Sequence, residues 1–288
     1  MLQCDILIVG AGASGMTAAV AACEAGCNNV FVIDSSASLG GILMQCHHNG
    51  FGAGKSGPEY SLELKKRFCS CNVKLSLETE VVKIDFNKTA LLSTKTGLMK
   101  VSFKTLILAT GCMEVPFGTL GISGTRPDGI YSAGFVQRQL NINDCFPDDD
   151  IVVLGCGDLG MILSGTLASV GKNVICIIEK NNTYSGLLKN YRNYIETNHI
   201  KVIYNSTVAE IFGNNRVEAI ILNNSKRIKC RTLIVAAGLI PDRQLVNHLG
   251  EQPWIKFCGN CSRVHTVIES VINESELVGK AAAMEFLK

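Results

Sequence analysis

Two glycine-rich stretches of this 288-residue sequence have the residue types and spacing of dinucleotide-binding loops. They are residues 10–15 (GAGASG) and 155–160 (GCGDLG), and they end the apolar runs at residues 4–10 and 149–155. In such a loop the first glycine permits a tight turn, the second lets backbone N–H groups reach a pyrophosphate, and the third brings helix and strand together. The pattern therefore predicts two dinucleotide sites.

An acidic residue follows each loop at the distance that dinucleotide binding requires. Helical patterns at residues 16–25 and 161–170 lead into second apolar runs that end in Asp34 and Glu179, each 24 residues after the first glycine of its loop. The carboxylate accepts hydrogen bonds from ribose hydroxyls, and the helix N-terminus faces the phosphate charge. No arginine follows Glu179 within the next three residues. The second site is therefore predicted to prefer NAD(H), with NADP(H) disfavoured by the carboxylate.

The two stretches belong to a longer internal repeat. Residues 105–111 (TLILATG) are echoed by residues 232–238 (TLIVAAG). Two copies of this strand–loop–helix–strand pattern predict an α/β protein with two Rossmann-like, three-layer halves around central parallel sheets. Strands are expected at residues 75–80, 101–103, 202–204 and 216–222, where they would add β meanders, and residues 131–135 are expected to begin a helix.

Composition excludes several classes of protein. A net charge of +2 without a basic block argues against a nucleic-acid or acidic-membrane surface. The longest apolar runs, such as residues 105–109, are too short to cross a bilayer, and the N-terminal run resembles a buried strand rather than a signal peptide. Thirteen cysteines beside nucleotide loops do not suit a small secreted disulfide scaffold. We expect a reducing, cytoplasmic location without nucleic-acid partners or a membrane span.

The order of these motifs resembles the two-dinucleotide flavoprotein superfamily, which includes thioredoxin reductase and the pyridine nucleotide–disulfide oxidoreductases. The resemblance rests on GAGASG, residues 38–41 (SLGG), residues 109–111 (ATG), GCGDLG and residues 236–238 (AAG). It implies FAD at the first loop and NAD(P)H at the second. It also implies an NAD domain at residues 118–242, inserted into an FAD domain formed by residues 1–117 and 243–288.

A narrower resemblance concerns residues 40–52 (GGILMQCHHNGFG), 57–60 (GPEY), 109–114 (ATGCME), 259–260 and 264–265. These stretches are similar to the electron-transfer subunits of dye-linked proline dehydrogenase, opine oxidase and hydrogen cyanide synthase. The resemblance implies an NADH-linked flavoprotein that works with a partner dehydrogenase or iron–sulfur subunit, and it leaves an oligomeric assembly open.

The sequence departs from the superfamily pattern in three places. Asn260 follows Gly259 where the superfamily has an aspartate for the flavin ribityl chain, although an asparagine can still bond a hydroxyl. Only a short stretch separates Pro241 from Gly259, so a partner could supply part of the flavin cover. The sequence stops at Lys288, without the C-terminal dimerisation domain of the disulfide reductases.

Disulfide chemistry requires a redox pair of cysteines, and the sequence offers little of that kind. Only Cys46 follows the Gly-Gly pair, residues 151–238 contain no CxxC, and we interpret Cys258 and Cys261 as small buried residues beside a turn. Residues 46–48 could converge with Cys258 and Cys261 on a metal ion, but ordinary packing is the simpler interpretation, and no metal is predicted.

The catalytic candidates are Cys46, His48 and His265. The narrower resemblance places Gln45, Cys46 and His48 against the isoalloxazine ring. His265 is expected to begin the final helix, at residues 264–287, and to stabilise negative charge near N1 and C2=O of reduced flavin. The alternative for His265 is a cap or a buried hydrogen-bonding residue.

The predicted cofactor-binding residues lie in the two glycine loops, at and after the two acids, and near the ends of other predicted strands. They are Gly10, Gly12, Ala13, Ser14, Gly15, Asp34, Ser35, Gly41, Gln45, Val81, Ala109, Thr110, Gly111, Gly155, Gly157, Asp158, Leu159, Gly160, Glu179, Ala237, Gly238, Gly259, Asn260 and His265.

Three functions remain open from the sequence. The first is an FAD-dependent NADH:acceptor oxidoreductase that acts as one component of a heteromeric dehydrogenase; hydride transfer then needs two rings held at reacting distance rather than a protein acid or base. The second is a self-contained NADH oxidase or small-disulfide reductase. The third is a non-catalytic assembly subunit that binds a nucleotide structurally.

Overall fold

The computed structural model describes residues 2–286. Residue 287, the predicted end of the final helix, and residues 1 and 288, the outer limits of the predicted FAD domain, lie outside the described residues. The chain forms two compact units: the first begins at the N-terminus, extends to Met113 and resumes at Ile240, and the second is Glu114–Leu239. The chain passes from one unit to the other within two short strands, Cys112–Glu114 and Leu239–Pro241. The second unit is therefore an insertion in the first.

The helices and strands follow one another in a regular α/β order. The helices are α1 (Ala13–Glu24), α2 (Gly57–Cys69), α3 (Ala133–Asn143), α4 (Asp158–Ser169), α5 (Leu188–Asn190) and α6 (Ile268–Met284). The strands are β1 (Leu2–Gln3), β2 (Ile6–Val9), β3 (Val30–Ile33), β4 (Asn49–Phe51), β5 (Lys55–Ser56), β6 (Lys74–Ser76), β7 (Glu80–Ile84), β8 (Thr89–Thr94), β9 (Gly97–Ser102), β10 (Thr105–Leu108), β11 (Cys112–Glu114), β12 (Ser123–Gly124), β13 (Ile130–Ser132), β14 (Ile151–Leu154), β15 (Val174–Ile178), β16 (Val202–Ile203), β17 (Val208–Gly213), β18 (Val217–Leu222), β19 (Arg227–Lys229), β20 (Thr232–Val235), β21 (Leu239–Pro241) and β22 (Ile255–Phe257).

The first unit has three layers. Its central parallel sheet has the order β22-β10-β2-β3-β6, and a meander has the order β1-β9-β8-β7. Successive side chains of a strand point to opposite faces. Ile6 and Ile8 of β2 accordingly pack with α1, α2 and α6, whereas Leu7 and Val9 pack with the meander. Because both faces are covered, β2 is apolar throughout.

The second unit repeats this architecture. Its parallel sheet has the order β13-β20-β14-β15-β16, and its meander has the order β12-β17-β18-β19. Ile151 and Val153 of β14 pack with α3 and α4, and Val152 packs with the meander. The predicted fold class, two Rossmann-like three-layer halves with one inserted in the other, is confirmed.

Several predicted elements have different limits in the structure. Residues 75–80 are not one strand: β6 ends at Ser76 and β7 begins at Glu80, with a turn at Glu78, whose φ is +49°. Residues 202–204 contribute to the parallel sheet as β16 instead of to a meander. The segment expected to begin a helix at residue 131 is strand β13 up to Ser132, and α3 begins at Ala133. The other two predicted strands overlap β9 and β18, but Phe103 and Arg216 lie one residue outside them.

Helix limits also differ from the predictions. Helices α1 and α4 begin three residues earlier than predicted, because their first-turn hydrogen bonds include the glycine loops: Met16 N–H donates to Gly12 O and Met161 N–H donates to Gly157 O. The final helix α6 begins at Ile268, not at residue 264. His265 therefore precedes the helix.

Candidate functional site

The first glycine loop is tied to the strand-end acid by backbone hydrogen bonds. Gly10 N–H donates to Ile33 O over 2.8 Å. The Asp34 carboxylate accepts from Ala11 N–H (2.6 Å) and from Ser36 N–H (2.7 Å). These two bonds fix the Asp34 side chain against the loop. The lone pairs that remain on its carboxylate are the ones that could accept hydrogen bonds from ribose hydroxyls.

The second glycine loop has the same hydrogen bonds at the equivalent atoms. Gly155 N–H donates to Ile178 O over 2.8 Å. The Glu179 carboxylate accepts from Cys156 N–H (2.8 Å) and from Asn181 N–H (2.9 Å). Glu179 is buried whereas Asp34 is half-buried. The longer glutamate side chain therefore makes the same contacts from a more enclosed position.

The three glycines of the first loop have different structural roles. A Cβ on Gly10, whose φ is +105°, would overlap the carbonyl oxygen of Ala109, and a Cβ on Gly15 would overlap the carbonyl oxygen of Gly10. Gly12 is different, because the nearest atom to its Cβ position is Gly41 Cα at 3.8 Å. The first and third glycines are required by packing, whereas the second leaves open the space in which a pyrophosphate approaches the backbone.

The three glycines of the second loop have the same structural roles as those of the first. A Cβ on Gly155 would overlap Ala236 O, and a Cβ on Gly160 would overlap Gly155 O. The Cβ position of Gly157 is open, with Ser185 Oγ as its nearest neighbour at 3.5 Å. Both loops therefore have the shape that a dinucleotide needs, with packed outer glycines and an open central one.

The repeat continues past the acids, where the sequence patterns did not reveal it. The equivalent residues of the two loops and the two acids, such as Gly10 and Gly155 or Asp34 and Glu179, are separated by 145 positions, and the same separation relates Gly40 to Ser185. Gly40 N–H donates to Ala11 O (3.0 Å), and Ser185 N–H donates to Cys156 O (3.1 Å). In both copies the chain thus returns to its glycine loop after the acid. Extending the 145-residue spacing along the sequence would have found this contact.

An open groove of about 520 Å³ lies beside the acid of the first unit. It begins at Ser35, directly after Asp34, and continues along the end of β7, where Val81 is half-buried. Most of its lining residues are polar, and they include an ion pair between Lys95 and Glu78 (2.5 Å). The lining residues are Ser35, Ala37, Glu78, Glu80, Ser93, Thr94 and Lys95. The groove is placed where the adenosine end of a dinucleotide lies relative to a Rossmann acid.

The loop after β10 contains three of the predicted site residues. Ala109 N–H donates to Val9 O, which continues the parallel sheet. The Thr110 hydroxyl donates to Asp242 O (2.6 Å), and Asp242 N–H donates to Gly111 O (3.0 Å). No atom lies within 4 Å of the Cβ position of Gly111. This loop is thus fixed at its base and open at its tip.

The corresponding residues of the second unit lie at the end of β20. Ala237 and Gly238 follow Val235 of that strand by two and three positions, and Gly238 has a φ of +123°. Gly238 O accepts a hydrogen bond from Val115 N–H over 3.0 Å. Leu159, in the first turn of α4, packs at the border of the helix-side core.

His265 lies in a partly buried hydrogen-bond network. Its side chain is 4% exposed, and its Nε2 lies 2.9 Å from Glu274 Oε2. The same carboxylate accepts from Gly259 N–H (2.8 Å) and from the Ser262 hydroxyl (3.0 Å). Burial raises the pKa of Glu274, but hydrogen bonds from His265, Ser262 and Gly259 lower it more, so its pKa lies below the ordinary value. These contacts favour the buried hydrogen-bonding role for His265.

The Asn260 side chain is also hydrogen-bonded within the protein. Its Oδ1 accepts from His265 N–H (3.0 Å), and its Nδ2 lies 3.6 Å from Cys112 Sγ. Gly259 packs so closely on Ser14 that a Cβ there would overlap the serine hydroxyl. The turn therefore sits against the first turn of α1, and one Oδ1 lone pair of Asn260 remains for a ligand.

Gln45, Cys46 and His48 lie together after the Gly-Gly pair. The Cys46 thiol is buried, donates to Ile42 O over 3.3 Å, and has its pKa raised to about 12 by burial. The His48 ring contacts the Phe51 ring at a centroid distance of 5.1 Å. Gln45 ends the 3-10 helix Gly41–Gln45 and is half-buried. At neutral pH this environment keeps Cys46 a neutral thiol.

The cysteines of the CxxC are equally protected. Burial raises the pKa of Cys258 and of Cys261, and the Cys261 thiol donates to Leu108 O over 2.8 Å. All thirteen cysteines are free. Within residues 2–286, no cluster of three or more histidine, cysteine, aspartate or glutamate side chains could hold a metal ion. In the same residues, none of the helices has the length and apolar character needed to cross a membrane.

The fold and the two loops define a protein with two dinucleotide-binding units. Residues 4–253 match the pyridine nucleotide-disulphide oxidoreductase family, and the chain belongs to this family. Members of the family are flavin-dependent oxidoreductases that use FAD and NAD(P)H. The resemblance found in the sequence is confirmed.

Three relatives show the range of the family. An opine oxidase subunit of Agrobacterium tumefaciens is 25% identical, over 87% of this chain and 55% of the relative. The HcnB subunit of the hydrogen cyanide synthase of Pseudomonas aeruginosa is 26% identical, over 85% of this chain and 59% of the relative. Thioredoxin reductase of Treponema pallidum is 26% identical, over 82% of this chain and 77% of the relative. The chain thus spans little more than half of the two relatives named as subunits.

Solved structures share the fold. Thioredoxin reductase from T. acidophilum superposes with a TM-score of 0.79 at 20% identity, covering 100% of both chains. L-proline dehydrogenase from P. horikoshii superposes with a TM-score of 0.74 at 19% identity, covering 99% of this chain and 56% of the other. These likenesses concern the fold alone.

Proposed function

We propose that this chain is an FAD-dependent NAD(P)H oxidoreductase that passes a hydride between NADH and bound FAD and exchanges electrons with a further acceptor. The observation that carries the proposal is the duplicated loop. Each copy combines an open central glycine with a strand-end carboxylate that is hydrogen-bonded to the loop. Two dinucleotide sites in one chain match a reaction that needs both a hydride donor and a hydride acceptor.

In this proposal the first unit binds FAD and the second binds the nicotinamide nucleotide. The open groove beside Ser35 and Val81 would receive the adenosine end of FAD. Thr110, Gly111 and Asn260, at the other end of the same unit, would contact the flavin end. The second loop, with Glu179, Ala237 and Gly238, would bind NADH, and the buried Glu179 carboxylate would exclude the 2′-phosphate of NADPH.

When bound, FAD supplies the hydride chemistry, and the protein residues bind and orient the two nucleotides. His265 would act in this scheme by fixing the Gly259–Asn260 turn through Glu274. Cys46 and His48 would pack beside the flavin ring without exchanging electrons. The role of Cys46 follows from its buried, hydrogen-bonded thiol, which offers no reactive thiolate.

We also propose that the chain works as one subunit of a larger dehydrogenase, with a partner dehydrogenase or iron–sulfur subunit. Two of its relatives are named as subunits, of opine oxidase and of hydrogen cyanide synthase. The acceptor would then belong to a partner chain. Co-purification of a partner with this chain from its native source would test this part of the proposal.

The decisive experiment is an anaerobic absorbance titration of the purified, FAD-reconstituted chain, first with NADH and then with NADPH. We expect the flavin absorbance at about 450 nm to bleach with NADH and to change little with NADPH. A protein that takes up no FAD under any condition would contradict the oxidoreductase proposal and would favour a nucleotide-binding scaffold. Equal bleaching by both nucleotides would contradict the role given to Glu179.

Likeness to thioredoxin reductases raises a second candidate, the reduction of small disulfides. The cysteine environments oppose it, and we expect Cys46→Ser to leave flavin reduction by NADH unchanged, because a buried thiol with its pKa raised to about 12 supplies no thiolate. Stopped-flow absorbance would measure the rate, and turnover with glutathione disulfide would be assayed in parallel. The matched control is Cys69→Ser, at an exposed cysteine. Disulfide turnover that Cys46→Ser abolishes and Cys69→Ser preserves would establish the reductase function instead.

A further inference from the structure

The segment that returns to the second glycine loop is held differently from its counterpart in the first unit. We call residues 185–187 the strap. Ser185 N–H donates to Cys156 O of the loop. A Cβ on Gly186 would lie 2.6 Å from Asp158 Oδ1 and 2.7 Å from Asp158 N, so only glycine permits this approach to the start of α4. The strap backbone therefore lies directly against the first residue of the helix.

A carboxylate with no counterpart in the first unit fastens the strap. Asp158 Oδ1 accepts from Leu187 N–H and from Asn190 Nδ2, both over 2.7 Å. Asn190 is buried and Asp158 is half-buried, so these bonds are partly shielded from water. The residue of the first unit 145 positions earlier is Ala13, which cannot accept a hydrogen bond from its side chain. The second unit thus has an added fastening at the N-terminus of its helix.

The bonds to Asp158 hold the strap so that the Ser185 hydroxyl lies beside the central glycine of the loop. Ser185 is exposed, and its Oγ lies 3.5 Å from the Cβ position of Gly157. That position borders the space that the open central glycine leaves for a pyrophosphate. The first unit has Gly40 at the equivalent place and lacks this hydroxyl. A serine hydroxyl can donate one hydrogen bond to a phosphate oxygen.

We propose that Ser185 is a pyrophosphate-binding residue of the second site and that Asp158 is the positioning residue that holds it there through the strap. The inference rests on the proposed function, since it requires a dinucleotide at the second loop. It adds a specificity element that distinguishes the two sites: the returning segment of the second site carries a hydroxyl fixed by a carboxylate, whereas Gly40 of the first has no side chain to offer.

Calorimetric titration of the FAD-loaded chain with ADP-ribose tests this inference. ADP-ribose carries the adenosine and pyrophosphate of NADH without the nicotinamide, and FAD keeps the first loop filled. We expect Ser185→Ala to weaken ADP-ribose binding roughly tenfold, as for a lost hydrogen bond to a charged group. Thr183→Ala, which removes an exposed hydroxyl two residues earlier, is the matched control and should bind like the wild type.

Variants of Asp158 separate positioning from folding. Asp158→Ala should weaken ADP-ribose binding about as much as Ser185→Ala, roughly tenfold. Asp158→Asn should restore most of the affinity, because its amide oxygen can still accept from Leu187 and Asn190. Retention of FAD and a cooperative melting transition would show that each variant is folded, and Asp158→Ala should melt at a lower temperature because it leaves Leu187 N–H and Asn190 Nδ2 without their acceptor.

The outcomes distinguish the inference from the proposed function. If the wild-type chain binds no ADP-ribose, the second loop is not a dinucleotide site and the proposed function fails. If the wild type binds and Ser185→Ala binds equally well, only the inference fails. Weak binding by Ser185→Ala with normal binding by Asp158→Ala, or equal losses in Asp158→Ala and Asp158→Asn, would overturn the positioning role of Asp158.

Discussion

Replacing Gly12 with alanine is expected to lower the affinity of the chain for FAD by roughly 10- to 100-fold, the effect of forcing an extra methyl group into a filled contact. The protein itself has room for the change. Gly12 has φ −74° and ψ −168°, which alanine adopts readily, and no atom lies closer than 3.8 Å to the Cβ position. The methyl group would instead occupy the space through which the pyrophosphate reaches the backbone.

Equilibrium FAD binding, measured by flavin fluorescence on apoprotein, checks this prediction. Gly15→Ala is the informative contrast, because its Cβ would overlap the carbonyl oxygen of Gly10. That variant should lose FAD through damage to the loop, with a clear fall in melting temperature, whereas Gly12→Ala should melt like the wild type. A Gly12→Ala protein that binds FAD with unchanged affinity would show that the first loop does not bind the cofactor.

Replacing Gly157 with alanine is expected to produce the complementary loss, a roughly 10- to 100-fold weaker affinity for NADH with normal FAD content. Gly157 has φ −85° and ψ 179°, and its Cβ position is 3.5 Å from the nearest atom, so the second unit should fold normally. With NADH bound so weakly, bleaching of the flavin should require correspondingly higher NADH concentrations.

Gly12→Ala and Gly157→Ala serve as controls for each other. The same substitution is made at equivalent positions of the two loops, 145 residues apart, and each should affect one nucleotide only. Titration of both variants with FAD and with NADH completes the comparison. If Gly157→Ala lost FAD and kept NADH, the assignment of the two nucleotides to the two units would be reversed.

The duplication also explains why the two sites need not bind the same ligand. The hydrogen bonds shared by the two loops shape each loop and fix its acid. Because they are the same in both units, they cannot select one nucleotide over another. The differences lie at a few side chains around this shared frame: Asp34 or Glu179 as the acid, Ala13 or Asp158 at the first helical residue, and Gly40 or Ser185 at the returning segment. Selectivity between the nucleotides is therefore expected to respond to these positions.

Much of this protein was predictable from the sequence, because the relevant signals are local. A strand, a glycine loop, a helix and a second strand with its acid occupy consecutive residues, so the 24-residue spacing to Asp34 and Glu179 was enough to predict both loops and both acids. The apolar runs of β2 and β14 predicted buried parallel strands, since both of their faces are covered. The family resemblance followed from the order of the same motifs.

Tertiary structure alone decided the features that depend on partners distant in the sequence. The position of His265 before α6 depends on bonds to Asn260 and Glu274, which local helix signals do not report. The packed position of Gly10 depends on Ala109 O, which lies 99 positions away along the sequence. The strap depends on the bond of Asp158 to Leu187, 29 positions away. Local sequence thus determined which elements form and where the two glycine loops and their acids lie, whereas long-range hydrogen bonds and close packing decided which side chains remain exposed beside the loops.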